Sequence, residues 1–237
     1  VTESTMKSTG FVLTLDSYVP SETVAVVLAA NNITLKTWDA VADATPVLGT
    51  DAIGSKGGIA TDGDVLLIGS LLQLQYFRDQ VETNAAQSAR LTADITLTEN
   101  WVPLAIGYQG TFDGNGHTIF GFNQSGLSGN NVTGFFKQLD VSGVIQNLTL
   151  QGKIDCPNAV NVGAFVCQNN GRIYHCVNKV DIVDDAVTRD ETGHLTSEGG
   201  KQAVGGFVGV NNNVIDSCVN KGIVTAFKDF AGGIAGQ

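Results

Sequence analysis

Two stretches of the chain carry nearly the same pattern 42 residues apart. "GAFVCQNNGRIYHCVNKVDIV", from Gly163, aligns with "GGFVGVNNNVIDSCVNKGIVT", from Gly205. Phe165 meets Phe207, Asn169-Asn170 meets Asn211-Asn212, and Ile173 meets Ile215. Cys176-Val177-Asn178-Lys179 meets Cys218-Val219-Asn220-Lys221. A weaker copy, "TGFFKQLDVSGVIQNLTLQGKI", starts at Thr133. It sets Phe136 against Phe165, Ile145 against Ile173 and Leu148 against Cys176, at an offset of 28 or 29. A further copy opens at "AGGIAGQ". Each unit reads as a short apolar strand, a Gly/Asn corner, a second alternating strand and another corner. One such unit has no partner for its apolar side chains. Stacked copies bury them, with like positions about 4.8 Å apart as in a sheet. Gly and Asn tolerate the left-handed backbone that sharp corners need. The pattern therefore predicts an all-β fold, a right-handed parallel β-helix.

The surplus of the 42-residue offset over 28 lies in a polar stretch, "DDAVTRDETGHLTSEGGKQ", Asp184 to Gln202. It reads as a loop leaving the body of the repeats. Upstream, Leu91, Ala93, Ile95 and Leu97 alternate as a half-buried strand. Before that, Leu71, Leu74, Phe77 and Val81 (or Leu72 and Tyr76) follow helical spacing, with Ser70 and Gln73 as a capping box. The expected job of this helix is to cap the first repeat and cover its unpaired edge. The expected division is 1–66, a β-rich segment or small sandwich piece, and 67–237, the capping helix with the β-helix. Within the first part, Phe11–Val19, Thr23–Ala29 and Ile33–Trp38 read as strands, followed by turns at 49–64.

Composition agrees with strands and turns over helices: only 15% of the 237 residues are charged and 29 are glycine. A net charge of −10, with no Lys/Arg cluster larger than a pair, argues against nucleic acid and anionic membrane partners. No apolar run nears the roughly 20 residues of a membrane helix, so no membrane insertion is expected. The polar start, Val1-Thr2-Glu3-Ser4, reads as a mature or trimmed N-terminus. The end, "FAGGIAGQ", stops on a strand pattern, so truncation is expected, with an open edge available for end-to-end stacking. The four cysteines contain no CxxC and fit neither zinc spacing nor a dense disulfide framework.

The order of motifs is specific: an "FRDQV" helix, "LTADITL", Trp101 before "PLAIG", "GTFDGNGHTIFGF", then "GFF" and "GGFVG" units. It resembles the GLUG-motif β-helix region of bacterial surface proteins, also found in the non-catalytic part of immunoglobulin A1 protease-type metallopeptidases. The similarity runs from about Ile68 to Gln237. Gly-Phe-Phe-Lys stands at 134–137 where the family usually has Gly-Leu-Phe-Gly, and the 184–202 insertion is extra. The resemblance implies export, display on a cell surface and no chemistry for the repeats.

"GTFDGNGHTIFGF", 110–122, holds an Asp-Gly-Asn-Gly-His run whose functional reading is a base with a metal or phosphate. A zinc site needs three or four ligands, and the chain has three histidines with no His-Glu-x-x-His. A phosphate loop leads into a helix, whereas Thr118-Ile119-Phe120 continues as a strand. Gly114, Asn115 and Gly116 are therefore read as a structural turn, with Phe112, Ile119 and Phe122 inward. Cys176 and Cys218 share one rung position; a bond between them is the alternative, but directly stacked cysteines in a parallel ladder usually lack ideal geometry, and they are read as small buried hydrophobes. Asp113, Asp140, Asp155, Asp181 and Asp216 show no common register of the kind a polysaccharide-acting enzyme needs. Asp184, Asp185, Asp190 and Glu191 are a candidate Ca²⁺ site, with a solvated loop the simpler reading. No catalytic residue, metal site or other cofactor is assigned.

These readings lead to a non-catalytic, secreted or bacterial cell-surface module for adhesion, ligand binding or use as a stalk. Its expected partner is a glycan or a host or other extracellular protein. The candidate contact residues are Tyr174, His175, Arg189 and His194. The alternatives are a polysaccharide-acting β-helix enzyme, or a spacer or targeting region of a larger surface metallopeptidase.

Overall fold

The computed structural model describes residues 61–129, 132–156, 158–184, 188–189, 195–196, 203–226 and 230–237. The three strands expected before residue 39 lie outside these. The structure is all-β but for one described helix.

The described chain visits three main sheets in a fixed order, and each visit pairs in parallel with the one before. In the first sheet, Ser88–Leu91, Thr111–Asp113, Val144–Gln146, Arg172–Tyr174 and Val214–Asp216 are neighbours in that order. In the second, Ile95–Thr96, Thr118–Ser125, Thr149–Asp155 and Val177–Asp184 follow, ending on Val219–Asn220 and Val224–Ala226. The third runs Leu104–Tyr108, Phe136–Leu139, Val166–Asn169, Val208–Asn211.

Register follows the sequence pattern. Ile145 lies beside Ile173, and Ile173 beside Ile215. Val166 pairs with Val208, and the neighbouring Phe165 stacks on Phe207 with ring centroids 4.6 Å apart. The weaker copy differs by one residue from the sequence alignment. Phe136 pairs with Val166, which leaves Phe135, not Phe136, below Phe165. The offset is 30 in the third sheet and 28 in the first. The corner Asp140–Gly143 takes up the two extra residues that Asn170–Gly171 lacks.

Two other expectations change. Leu91 to Leu97 is not one strand: Ser88–Leu91 belongs to the first sheet and Ile95–Thr96 to the second. Asp94 holds the corner between them by accepting the Thr118 N–H at 2.8 Å. The 184–202 insertion contains a short antiparallel pair, Thr188–Arg189 with Leu195–Thr196.

Helix α1, Leu71–Val81, buries Gln73, Leu74, Phe77 and Val81. Ser70 Oγ accepts the Gln73 N–H at 3.3 Å, while Gln73 Oε1 accepts the Gly69 N–H at 2.8 Å. This is a capping box with its return bond shifted by one residue. Phe77 meets Tyr108, Phe112 and Phe136 at ring-centroid distances of 6.0, 5.3 and 6.4 Å. Each such pair adds about 1 kcal/mol beyond area burial. The helix thus covers the aromatic interior but not the edge of the first sheet. That edge is extended by Val65–Ile68, which pairs with Ser88–Leu91 and folds back on Thr61–Asp62. Val65–Ile68 also spans the 66/67 division expected from sequence.

Where an Asn enters the interior, a ladder replaces apolar packing. Asn178 Nδ2 donates to Asn220 Oδ1 at 2.8 Å, and Asn169 Nδ2 to Asn211 Oδ1 at 2.8 Å. Asn178 also accepts the Val180 N–H at 3.1 Å, so its buried amide is satisfied.

Candidate functional site

The outward positions of the first sheet form columns once the register is known. One column is Arg90, Asp113, Gln146, Tyr174, Asp216. The next is Thr111, Val144, Arg172, Val214. Arg172, Tyr174, Val214 and Asp216 line a shallow open depression of about 390 Å³ on this face. Arg172 and Asp216 are exposed and Tyr174 is half-buried. A guanidinium, a carboxylate and an aromatic ring thus share one small patch with the exposed Val214. Such a set can hydrogen-bond hydroxyls or amides while a ring packs against C–H groups. The Tyr174 hydroxyl donates to Gln146 Oε1 on the adjacent strand, which fixes the ring along the sheet.

Of the residues singled out in the sequence, Tyr174 and His175 come together. Their ring centroids are 5.5 Å apart at 82°. His175 is exposed and sits at the corner with φ of 53°. Asn147 and Ser217 hold the same corner in the repeats on either side, with φ of 53° and 52°. Arg189 lies in the short strand Thr188–Arg189. His194 falls outside the described residues, as do Asp185, Asp190 and Glu191 of the candidate Ca²⁺ cluster. Among the described residues no group of three or more His, Cys, Asp or Glu is placed to hold a metal. Arg172, Val214 and Asp216 were not singled out as ligand contacts. Strand alternation marks them as outward, but only register brings them beside Tyr174.

The Asp-Gly-Asn-Gly-His run is divided between different partners. Asp113 Oδ1 accepts the Asn115 N–H at 2.8 Å and Asn147 Nδ2 at 3.0 Å, and Arg90 Nε lies 3.8 Å from its Oδ2. Burial pushes the Asp113 carboxyl up, but the bonds from Asn147, Asn115 and Gln146, with the charge of Arg90, bring it below the ordinary value. His117 Nδ1 instead faces Asp94 Oδ1 at 3.2 Å. Asn115 and Gly116 take φ of 50° and 81°, and Gly114 lies against the Asn147–Leu148 peptide.

The expectation that the aspartates share no register needs correction. Asp113 and Asp216 stand in one column, three strands apart. That separation is about 14 Å, beyond the reach of a paired-carboxylate glycosidase site, which spans at most about 9.5 Å.

All four cysteines are thiols. Burial raises the Cys167 thiol to about 11, against the hydrogen bonds it makes with Thr133. Cys176 is buried, while Cys218 packs against the core but is only half-buried, short of the burial expected for both.

No family model matches the chain. Halomucin of Haloquadratum walsbyi is 31% identical over an alignment of 158 residues that covers 60% of this chain. The chain spans about 2% of the length of halomucin. No solved structure matches. Among the described residues no helix is long and apolar enough to cross a membrane.

Proposed function

We propose that this chain is a non-catalytic module of a secreted or cell-surface protein. In this reading it is a right-handed parallel β-helix of the GLUG type, which displays its first-sheet face to a glycan or an extracellular protein. The observation that carries the reading is the outward patch of Arg172, Tyr174, Val214 and Asp216, built across two adjacent repeats. Repeats paired in register make a long rigid platform, and such platforms are used as extended binding surfaces or stalks. Parallel pairing of like positions in all three sheets supports the helical winding. The similarity to halomucin, a mucin by name, supports the surface location. The 184–202 insertion, with Arg189 and His194, is proposed as a second contact region.

The test is a glycan array and an extracellular-matrix protein panel probed with the wild type, Tyr174→Ala and a variant lacking 184–202. Binding by the wild type that falls about tenfold or more in Tyr174→Ala, a loss of about 1.4 kcal/mol, supports the patch. Equal binding by wild type and Tyr174→Ala removes the patch. Equal binding by the deletion variant removes the loop.

A further inference from the structure

Cys176 and Cys218 occupy one position in two successive repeats. The register on both sides is unbroken: Tyr174 pairs with Asp216 before them and Val177 with Val219 after them. The Val219 N–H donates to Cys176 O at 3.0 Å, and the His175 N–H to Asp216 O at 3.1 Å. The two backbones therefore run side by side at about the spacing of paired strands, roughly 4.8 Å. Disulfides span Cα separations of about 4.4–6.8 Å.

Both side chains point the same way. Cys176 Sγ donates to Tyr174 O at 3.3 Å and Cys218 Sγ to Asp216 O at 3.2 Å, each two residues back. Each sulfur also reaches the carbonyl of the repeat below, Ile145 O at 3.9 Å and Ile173 O at 3.7 Å. In a regular parallel ladder, directly stacked cysteines rarely meet the geometry a disulfide needs. These two lie outside the strands, in the corner that follows His175 and Ser217.

We propose that Cys176 and Cys218 form a disulfide that locks two successive repeats together in an oxidising environment. Its relevance outside the cell rests on the proposed surface location, since disulfides persist there and not in reducing compartments. The chemistry needs an external disulfide as oxidant. The half-buried Cys218 attacks one sulfur of that disulfide as thiolate, forms a mixed disulfide and releases one thiol. Cys176 then loses its proton and displaces the second thiol. Two protein thiols become one disulfide, the protein loses two hydrogens, and the reagent disulfide is reduced to two thiols. The neighbouring Cys176 side chain holds the Cys218 thiol below its ordinary value. Burial keeps Cys176 high. The entry of the oxidant is thus at Cys218, not Cys176. Cys167 is shielded by burial and by Thr133.

The test uses the whole 237-residue chain, incubated with oxidised glutathione, followed by intact mass and non-reducing peptide mapping. The expected product is lighter by two hydrogens and yields a linked Cys176–Cys218 peptide. Cys176→Ser is expected to stop at a Cys218–glutathione adduct. Oxidised wild type is expected to melt roughly 5–10 °C above its reduced form, a shift absent from Cys218→Ser. A wild type that ends as a stable Cys218–glutathione adduct, with Cys176 still a thiol, overturns the proposal. So does linkage to Cys156 or Cys167 in its place. Because the reaction is run on purified protein, its failure leaves the surface reading standing, and loss of ligand binding leaves the disulfide standing.

Discussion

Phe165 stacks on Phe207, ring centroids 4.6 Å apart and planes 16° from parallel, although 42 residues separate them. Both are fully buried. Truncating either removes a ring from a close-packed column and leaves a void that neighbouring repeats cannot close. Phe165→Ala is expected to cost about 3–5 kcal/mol in chemical denaturation, and Phe165→Leu less than half of that.

Asn178 holds a buried place that Leu150 fills in the repeat below. Its amide serves the Val180 N–H and Asn220 Oδ1. Asn178→Ala takes the partner from the Val180 N–H and leaves Asn220 Oδ1 with the Gly222 N–H alone, and is expected to cost about 1–3 kcal/mol. The double variant Asn178→Leu with Asn220→Leu is expected to recover part of that loss. Denaturant midpoints of the two variants, compared at equal slope, decide the matter.

Gly116 and Gly152 separate two reasons for glycine. Gly116 has φ of 81° and open space around it, so Gly116→Ala pays only backbone strain, about 1 kcal/mol. Gly152 lies at the bulge where Leu150 pairs with Ile119 but Gly152 with Phe122. A Cβ there meets the Phe122 carbonyl oxygen at 2.1 Å and its carbon at 2.5 Å. Gly152→Ala is expected to destabilise at least twice as much as Gly116→Ala, read from melting temperatures.

Asp113 supplies an acid-sensitive part of the stability. Its folded-state value lies below the ordinary one, so its contribution is complete above the unfolded value, near 3.8. It is lost as pH falls through the folded value. Melting temperature measured from neutral pH down to about pH 2 is expected to fall less steeply in Asp113→Asn than in the wild type. Parallel curves for the two proteins rule out Asp113 as a source.

Some of this was legible in the residues. The Phe165–Phe207 and Ile173–Ile215 pairs follow from one constant offset, and the helix over 71–81 from its spacing and its Ser70 cap. The left-handed Asn115 and Gly116 follow from steric preference. The Phe136 register was off by one, because a corner hides insertions: Asp140–Gly143 and Asn170–Gly171 differ in length with no change in the flanking apolar pattern. The Leu91–Leu97 alternation hid a corner for the opposite reason, since apolar residues on both sides of Asp94 point to one interior.

The sequence by itself determined which side chains go inside, which residues can bend, and which segments are copies of one another. These follow from transfer free energies and local sterics, which each residue carries with it. Only the tertiary structure decided which outward residues stand together. Arg172, Tyr174 and Asp216 become one patch, and Cys176 and Cys218 one pair of thiols, through hydrogen-bond register between segments 42 residues apart. Register is a property of two strands at once, set by the length of every corner between them.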